Sequence, residues 1–302
     1  PNLIWQMRQD LPVVRHLREL KKTQLDYTQP QEFLIQSFVV HGTLGLVAIL
    51  GLVYILLSKR SSRFRFLGIA FVLIIALMLQ LQGKVYYAFG AFPMLFAAGG
   101  MAFQSGARLL SGTFVRASMM AVLAPCLLFI PVVIPILPIK TTLHFFELAE
   151  SAGLTFPLKW EDQRMHATTQ DYGDMFGWQE MADYSMRAYE QVPEHERENT
   201  TVIADNYGQA GALEHLGSSR LPETVCLNSS FALWAPDSIR SQHLIYVDED
   251  VSDLVPLFKE VKVIGEVTQP LAREKGTKVF LLSYPLKDIN SLYRLAREEE
   301  NR

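Results

Sequence analysis

Apolar positions dominate the chain in four runs between residues 33 and 139, and beyond residue 140 they break into short alternating groups. The runs are 33–57, 66–81, 86–103 and 117–139. About 20 apolar residues in a helix cross the roughly 30 Å hydrocarbon core of a bilayer. The first run meets that length. The second is short, although Gln80 and Gln82 extend it to an interface. The third contains Pro93 and the pair Gly99-Gly100, which membrane helices tolerate and which favour close packing. The fourth carries Pro125, Pro131, Pro135 and Pro138, and is expected to kink or to end near Pro135.

Residues 1–31 are polar and basic. Val13, Val14, Leu17 and Leu20 recur there at helical spacing. Two readings stay open: an interfacial amphipathic helix with Arg15, Arg18, Lys21 and Lys22 near lipid phosphates, or a solvated connection. After residue 140, segments 200–206, 243–250, 261–268 and 278–285 are rich in Val, Ile and Leu and predict strands. Segments 176–192, 208–216 and 286–300 predict helices. Strand–helix alternation favours a three-layer α/β domain with a largely parallel sheet. The expected organisation is an interfacial segment at 1–31, four transmembrane helices at 32–139 and an α/β domain at 140–302.

Charge divides the chain at the same place. Residues 1–139 hold 12 Lys+Arg against 4 Asp+Glu, whereas residues 140–302 hold 16 against 27. No acidic residue occurs between Glu32 and Glu147. A soluble surface needs both signs of charge, but a carboxylate in hydrocarbon costs several kcal/mol, so this stretch is read as membrane-embedded. Lys59, Arg60, Arg63 and Arg65 crowd the loop after the first run, and Arg108 and Arg116 follow the third. The positive-inside rule puts these loops in the cytoplasm. The intervening Lys84 loop and the C-terminal domain then lie outside.

Candidate chemistry is sparse. Cys126 and Cys226 lack metal-ligand spacing and are read as unpaired structural thiols. No metal site is expected, and nothing points to nucleic acid. Lys84, Tyr86 and Tyr87 interrupt two apolar runs. They fit a snorkelling lysine with belt tyrosines, and equally a cation with phenolic donors for a lipid phosphate. Trp5 and Gln6 fit a sugar ring and its hydroxyls, or an interfacial anchor. His41 is expected to be packed or lumen-facing. Gly208 and Gly211 open a helix after a strand, but G-x-x-G without a basic P-loop reads as turn and packing glycines.

The stretches "PNLIWQ", "GKVYYAFGAFPMLFAAGG", "GWQEMA" and "NYGQAGALEHLG…LPETVCLNSSFALWAP", in this order, resemble bacterial glycosyltransferases of family 39. These belong to the GT-C superfamily, with protein O-mannosyltransferases and aminoarabinose transferases. The resemblance implies the C-terminal half of an inner-membrane enzyme that moves a sugar from a polyprenyl-phosphate carrier to an extracytoplasmic acceptor. It also implies that the catalytic acid, with any divalent metal, lies in an upstream loop. No catalytic residue is then expected in this chain, which alone would be inactive. Lys84, Tyr86 and Tyr87 would hold the carrier phosphate. The residues themselves leave two other classes open: a membrane-anchored envelope-binding protein, and a transporter with a cytoplasmic sensing domain.

Overall fold

The computed structural model describes residues 1–14, 17–18, 30–106, 111–128, 130, 134–217 and 220–300. Arg15, Leu20, Lys21 and Lys22 of the expected amphipathic segment lie outside the described residues, as do Arg108 and Pro131. The chain divides into two units. One comprises Leu17–Pro138, and the other Pro1–His16 together with Ile139–Arg302.

The helical unit contains α2 (Pro30–Val39), α3 (Leu44–Leu57), α4 (Arg65–Gln80), α5 (Phe92–Gly106) and α6 (Gly112–Leu128), numbered after α1 (Asn2–Arg8) of the other unit. Lys59–Gln80 and Val85–Gly106 are long and apolar enough to cross a membrane. The first apolar run is not one helix. It bends by 103° between α2 and α3, so it makes either a broken span or a re-entrant pair. Among the described residues two helices, or three spans if the bent pair is counted as one, are long and apolar enough to cross, and α6 is a shorter apolar helix. The expected fourth run, 117–139, lies partly outside the described residues. Gly42 explains the bend: its φ of +57° lies in the left-handed region and ends the helical hydrogen-bond ladder. Thr43 beside it donates its hydroxyl to the Val122 carbonyl of α6.

The core of this unit is aromatic and small. Phe33, Phe71, Phe92 and Leu95 are buried, with Ala48, Ala88 and Ala98 filling between them. Gly51 of α3 and Gly99 of α5 face each other's backbones, because a Cβ on Gly51 would meet the Gly99 nitrogen at 2.7 Å. That close approach is the usual means by which membrane helices gain contact area without a hydrophobic driving force. Leu46, Leu57, Phe66 and Leu73 point outward and are well exposed.

The α/β unit is built on five strands: β1 (Thr200–Ala204), β2 (Thr224–Cys226), β3 (His243–Asp248), β4 (Phe258–Glu266) and β5 (Lys278–Pro285). Their spatial order is β2-β1-β3-β5-β4. The pairs β1–β2 and β1–β3 are parallel, whereas β3–β5 and β4–β5 are antiparallel. The sheet is mixed, which corrects the expected largely parallel one. The reason is that β4 leads into β5 by a loop with no helical crossover, and a return of that kind pairs strands antiparallel.

Alternation along the strands covers both faces. After α7 (Ile139–Ser151), Val202, Ile245, Val247, Val279 and Leu281 pack against α8 (Trp178–Gln191) and α9 (Tyr207–Gly217). Ile203, Leu244, Phe280 and Leu282 pack against α10 (Ile289–Glu300) through Ile289 and Tyr293. Helices on both faces make the three-layer arrangement that the sequence predicts, and they explain why all five residues of β1 are buried. Edge strand β4 instead shows Lys259, Glu260 and Lys262 to solvent, a pattern that discourages edge-to-edge pairing.

Candidate functional site

The Lys84 turn is formed by the way α4 stops. Gln82 takes a φ of +52°, and the Gly83 N–H donates to the Met78 carbonyl at 2.8 Å. This is a Schellman closure with glutamine in the left-handed position. Lys84 follows in extended backbone and caps a 3-10 turn, Val85–Ala91, where its carbonyl accepts the Tyr87 N–H at 3.1 Å. Its Nζ lies over the Tyr86 ring, 6.0 Å from the centroid, and the Tyr86 and Tyr87 rings meet edge-on at 4.7 Å. Tyr86 is 54% and Tyr87 48% exposed. One cation and two phenols thus form one cluster at the end of a long apolar helix. His41, at the bend between α2 and α3, packs its ring against Phe89 of the same turn at 5.1 Å and against Phe92 at 4.3 Å. It is a packed residue, as expected.

Trp5 and Gln6 belong to the other unit. Trp5 on α1 stacks on Trp234 with centroids 6.2 Å apart, and the Gln6 Oε1 accepts the Val13 N–H at 3.1 Å. The sequence spacing gave no signal for the Trp5–Trp234 pair, which is a tertiary contact.

The turn between β1 and α9 has the geometry of a capped helix. The Asn206 Oδ1 accepts the Gln209 N–H at 3.0 Å, and the Gln209 side chain accepts the Asp205 N–H while donating to Glu274. A side chain therefore already takes one of the N-terminal donors that a phosphate would use, the Gln209 N–H. Asp205 is held above the usual carboxylate range, first by desolvation and then by Asp248, Glu274 and Glu249. That acidic surrounding opposes a phosphate. A Cβ at Gly208 would crowd the Asn206 Oδ1 at 3.1 Å, as a packing glycine requires, whereas at Gly211 it would meet nothing within 4 Å, so close packing does not explain that glycine.

Among the described residues, two of the cavities in the α/β unit are large enough to take a small ligand. One of about 630 Å³ is lined by Trp160, Asp162, His166, Arg273 and Lys275. Much of its charge is internally paired: His166 contacts Asp162 at 2.9 Å and stacks on Trp160 at 3.6 Å, and Arg273 reaches Asp174 at 3.3 Å. The other, of about 710 Å³, lies at the β2 edge of the sheet beside Tyr207, Phe231 and Trp234. Among the described residues no group of three or more His, Cys, Asp or Glu is placed to hold a metal ion.

A buried polar network joins elements far apart in sequence. His243 is 1% exposed; its Nδ1 meets the Ser283 Oγ at 2.8 Å and its Nε2 meets Glu196 at 2.8 Å. Tyr284, strained at a φ of +59°, donates its hydroxyl to the same carboxylate at 3.2 Å. The order Ser–His–Glu resembles a nucleophilic triad, but Ser283 is buried and lines neither cavity. The network is a clip between β3, β5 and the segment before β1. It holds Glu196 below the ordinary carboxylate value of 4.5, chiefly through the His243 hydrogen bond. A depressed folded-state pKa gives stability that is full above the unfolded value and lost as pH falls through the folded one. The α/β unit is therefore expected to lose thermal stability in acid below about pH 4.5, and Glu196→Gln to flatten that part of the profile. An unchanged acid limb in the variant would show that the clip does not titrate.

The chain matches no protein-family model, no curated protein and no solved structure.

Proposed function

We propose that this chain forms part of a membrane-embedded glycosyltransferase that draws its sugar from a polyprenyl-phosphate carrier and delivers it outside the cytoplasm. The observation that carries the reading is the Lys84–Tyr86–Tyr87 cluster on a 3-10 turn between two apolar helices. A fixed ammonium offsets phosphate charge, phenols donate to phosphate oxygens, and a low-dielectric surrounding strengthens both. In transfer the carrier phosphate leaves with the electron pair of the broken glycosidic bond, and a cation held there stabilises the developing charge. The order of stretches that resembles family 39 enzymes supports the same reading.

The same helices support one orientation. Lys59–Gln80 separates the basic turn, with Lys59, Arg60 and Arg63, from the Lys84 turn. With the basic turn in the cytoplasm, the Lys84 cluster faces outward, where a lipid-linked sugar donor is used. The inner membrane of a bacterium is the setting this implies.

Binding to the chain in phosphatidylcholine nanodiscs tests the proposal. A polyprenyl phosphate is expected to be retained at least tenfold more tightly than the matching polyprenol, about 1.4 kcal/mol or more. Equal retention of the two lipids would remove the basis for the reading.

A further inference from the structure

The α/β unit carries a second feature with the character of a binding site, the groove at the β2 edge. Tyr207 at the start of α9, Phe231 and Trp234 form its aromatic side. The Tyr207 and Phe231 rings are nearly parallel, 13° apart with centroids at 5.7 Å, and Phe231 meets Trp234 edge-on at 6.2 Å. Trp5 stacks on Trp234 and continues the row. These large rings remain 57%, 46% and 68% exposed at Tyr207, Phe231 and Trp234. Leaving such surface in water is unfavourable, so a row of rings beside a groove marks a place where something docks.

The polar side of the groove narrows what that is. Glu214 and Glu223 line it, and Arg240 is the one Lys or Arg among its described lining residues. Arg240 already donates to the Glu198 carbonyl. An anionic lipid surface or a phosphate would call for more cations. Thr200 also lines the groove; it is 2% exposed, and its hydroxyl has no hydrogen-bond partner among the described residues. The Thr224 hydroxyl is in the same state. Both hydroxyls are closed off from the groove, so they form part of its wall and not contacts for a ligand.

We infer that this groove binds a neutral saccharide. The C–H faces of a pyranose lie on the aromatic rings, and its hydroxyls donate to Glu223 and to the Glu214 oxygen that does not accept the Thr224 N–H. The volume, about 710 Å³, suits a short oligosaccharide and falls within the range of roughly 300–1,000 Å³ typical of small-molecule sites. The assignment stands on the groove alone. Where it deepens the transferase reading, by giving the α/β unit an acceptor glycan to hold, it rests on that reading.

The test uses the whole chain in phosphatidylcholine nanodiscs, which avoids detergents with sugar headgroups. Maltotriose, mannotriose and chitotriose are titrated while tryptophan emission and heat are followed. Saturable binding of at least one is expected, weakened at least tenfold by Trp234→Ala and by Tyr207→Ala. Trp234→Phe should recover part of it, which separates a lost ring face from a lost fold. Lys84→Ala should leave trisaccharide binding unchanged, so failure of the polyprenyl-phosphate reading would not be mistaken for failure here. No response to any of the three sugars overturns the inference, as does binding that survives both alanine substitutions. Quenching of Trp234 by brominated lipid without a sugar response overturns it in favour of a membrane contact.

Discussion

Lys84→Ala is expected to weaken retention of a polyprenyl phosphate in nanodiscs by about 10- to 100-fold, the equivalent of the roughly 1.5–3 kcal/mol carried by hydrogen bonds to a charged group. Retention of the matching polyprenol should not change, because the lost term is electrostatic. The turn itself should survive. The main-chain part of Lys84 there, a carbonyl that accepts from Tyr87 and an extended backbone, is one that alanine also supplies, and the contact of its ammonium with the Tyr86 ring is the part that is lost. Lys84→Arg should keep more than half of the binding free energy lost in alanine, since it preserves charge but changes the shape of the donor group. Tyr87→Phe removes one neutral donor and is expected to cost less, about 0.5–1.5 kcal/mol. On the proposed transferase reading, the same alanine variant should lower sugar transfer by on the order of 100-fold, as loss of one charge-stabilising group does elsewhere. Equal binding of the phosphate by wild type and Lys84→Ala would assign the lysine to the interfacial belt instead.

The parts of the molecule legible in the sequence are those written in local patterns. The apolar runs report α3, α4 and α5 because helices apolar all round leave an unbroken run in the sequence. Strands β1, β3, β4 and β5 show as Val- and Ile-rich segments, and their alternation divides residues between the two cores. Direction is not in that pattern: period two says which face a residue takes, not which way its neighbour runs. The antiparallel placement of β5 was therefore hidden. Strand β2, at three residues, is too short to show any period. The bend in the first apolar run does have a local signal, Gly42 beside Thr43, but glycine is common in membrane helices and its φ sign is not written in the sequence.

The candidate sites divide in the same way. Lys84, Tyr86 and Tyr87 are neighbours in sequence, so their grouping is visible before any fold is known. The groove draws on Thr200, Tyr207, Trp234 and Arg240, and the clip joins Glu196 to His243 and Ser283. Both depend on strand order, which brings distant residues together and leaves no trace at fixed spacing. Asn206 and Gln209 are an intermediate case: their spacing is that of a helix-capping pair, and the structure uses it so.

The two adjacent glycines of α5 should respond to the same substitution with opposite signs. A Cβ on Gly99 would run into the Val47 carbonyl oxygen of α3 and meet the Val47 Cγ1 at 2.6 Å, and the backbone oxygen has no rotamer with which to withdraw. Gly99→Ala must therefore push α3 and α5 apart. Overpacking of this kind typically costs about 1–3 kcal/mol. Gly100 lies next to it on the chain but meets nothing within 4 Å. There alanine only exchanges a flexible residue for the best helix former, which stabilises a helix by up to about 1 kcal/mol. Thermal unfolding in nanodiscs should thus show a lower midpoint for Gly99→Ala and an equal or higher one for Gly100→Ala. The consequence reaches the phosphate cluster, because α5 begins where the 3-10 turn with Tyr86 and Tyr87 ends. Gly99→Ala is accordingly expected to weaken polyprenyl-phosphate binding from a distance, while Gly100→Ala leaves it intact. Equal loss of stability in the two variants would mean that α3 and α5 do not meet at Gly99.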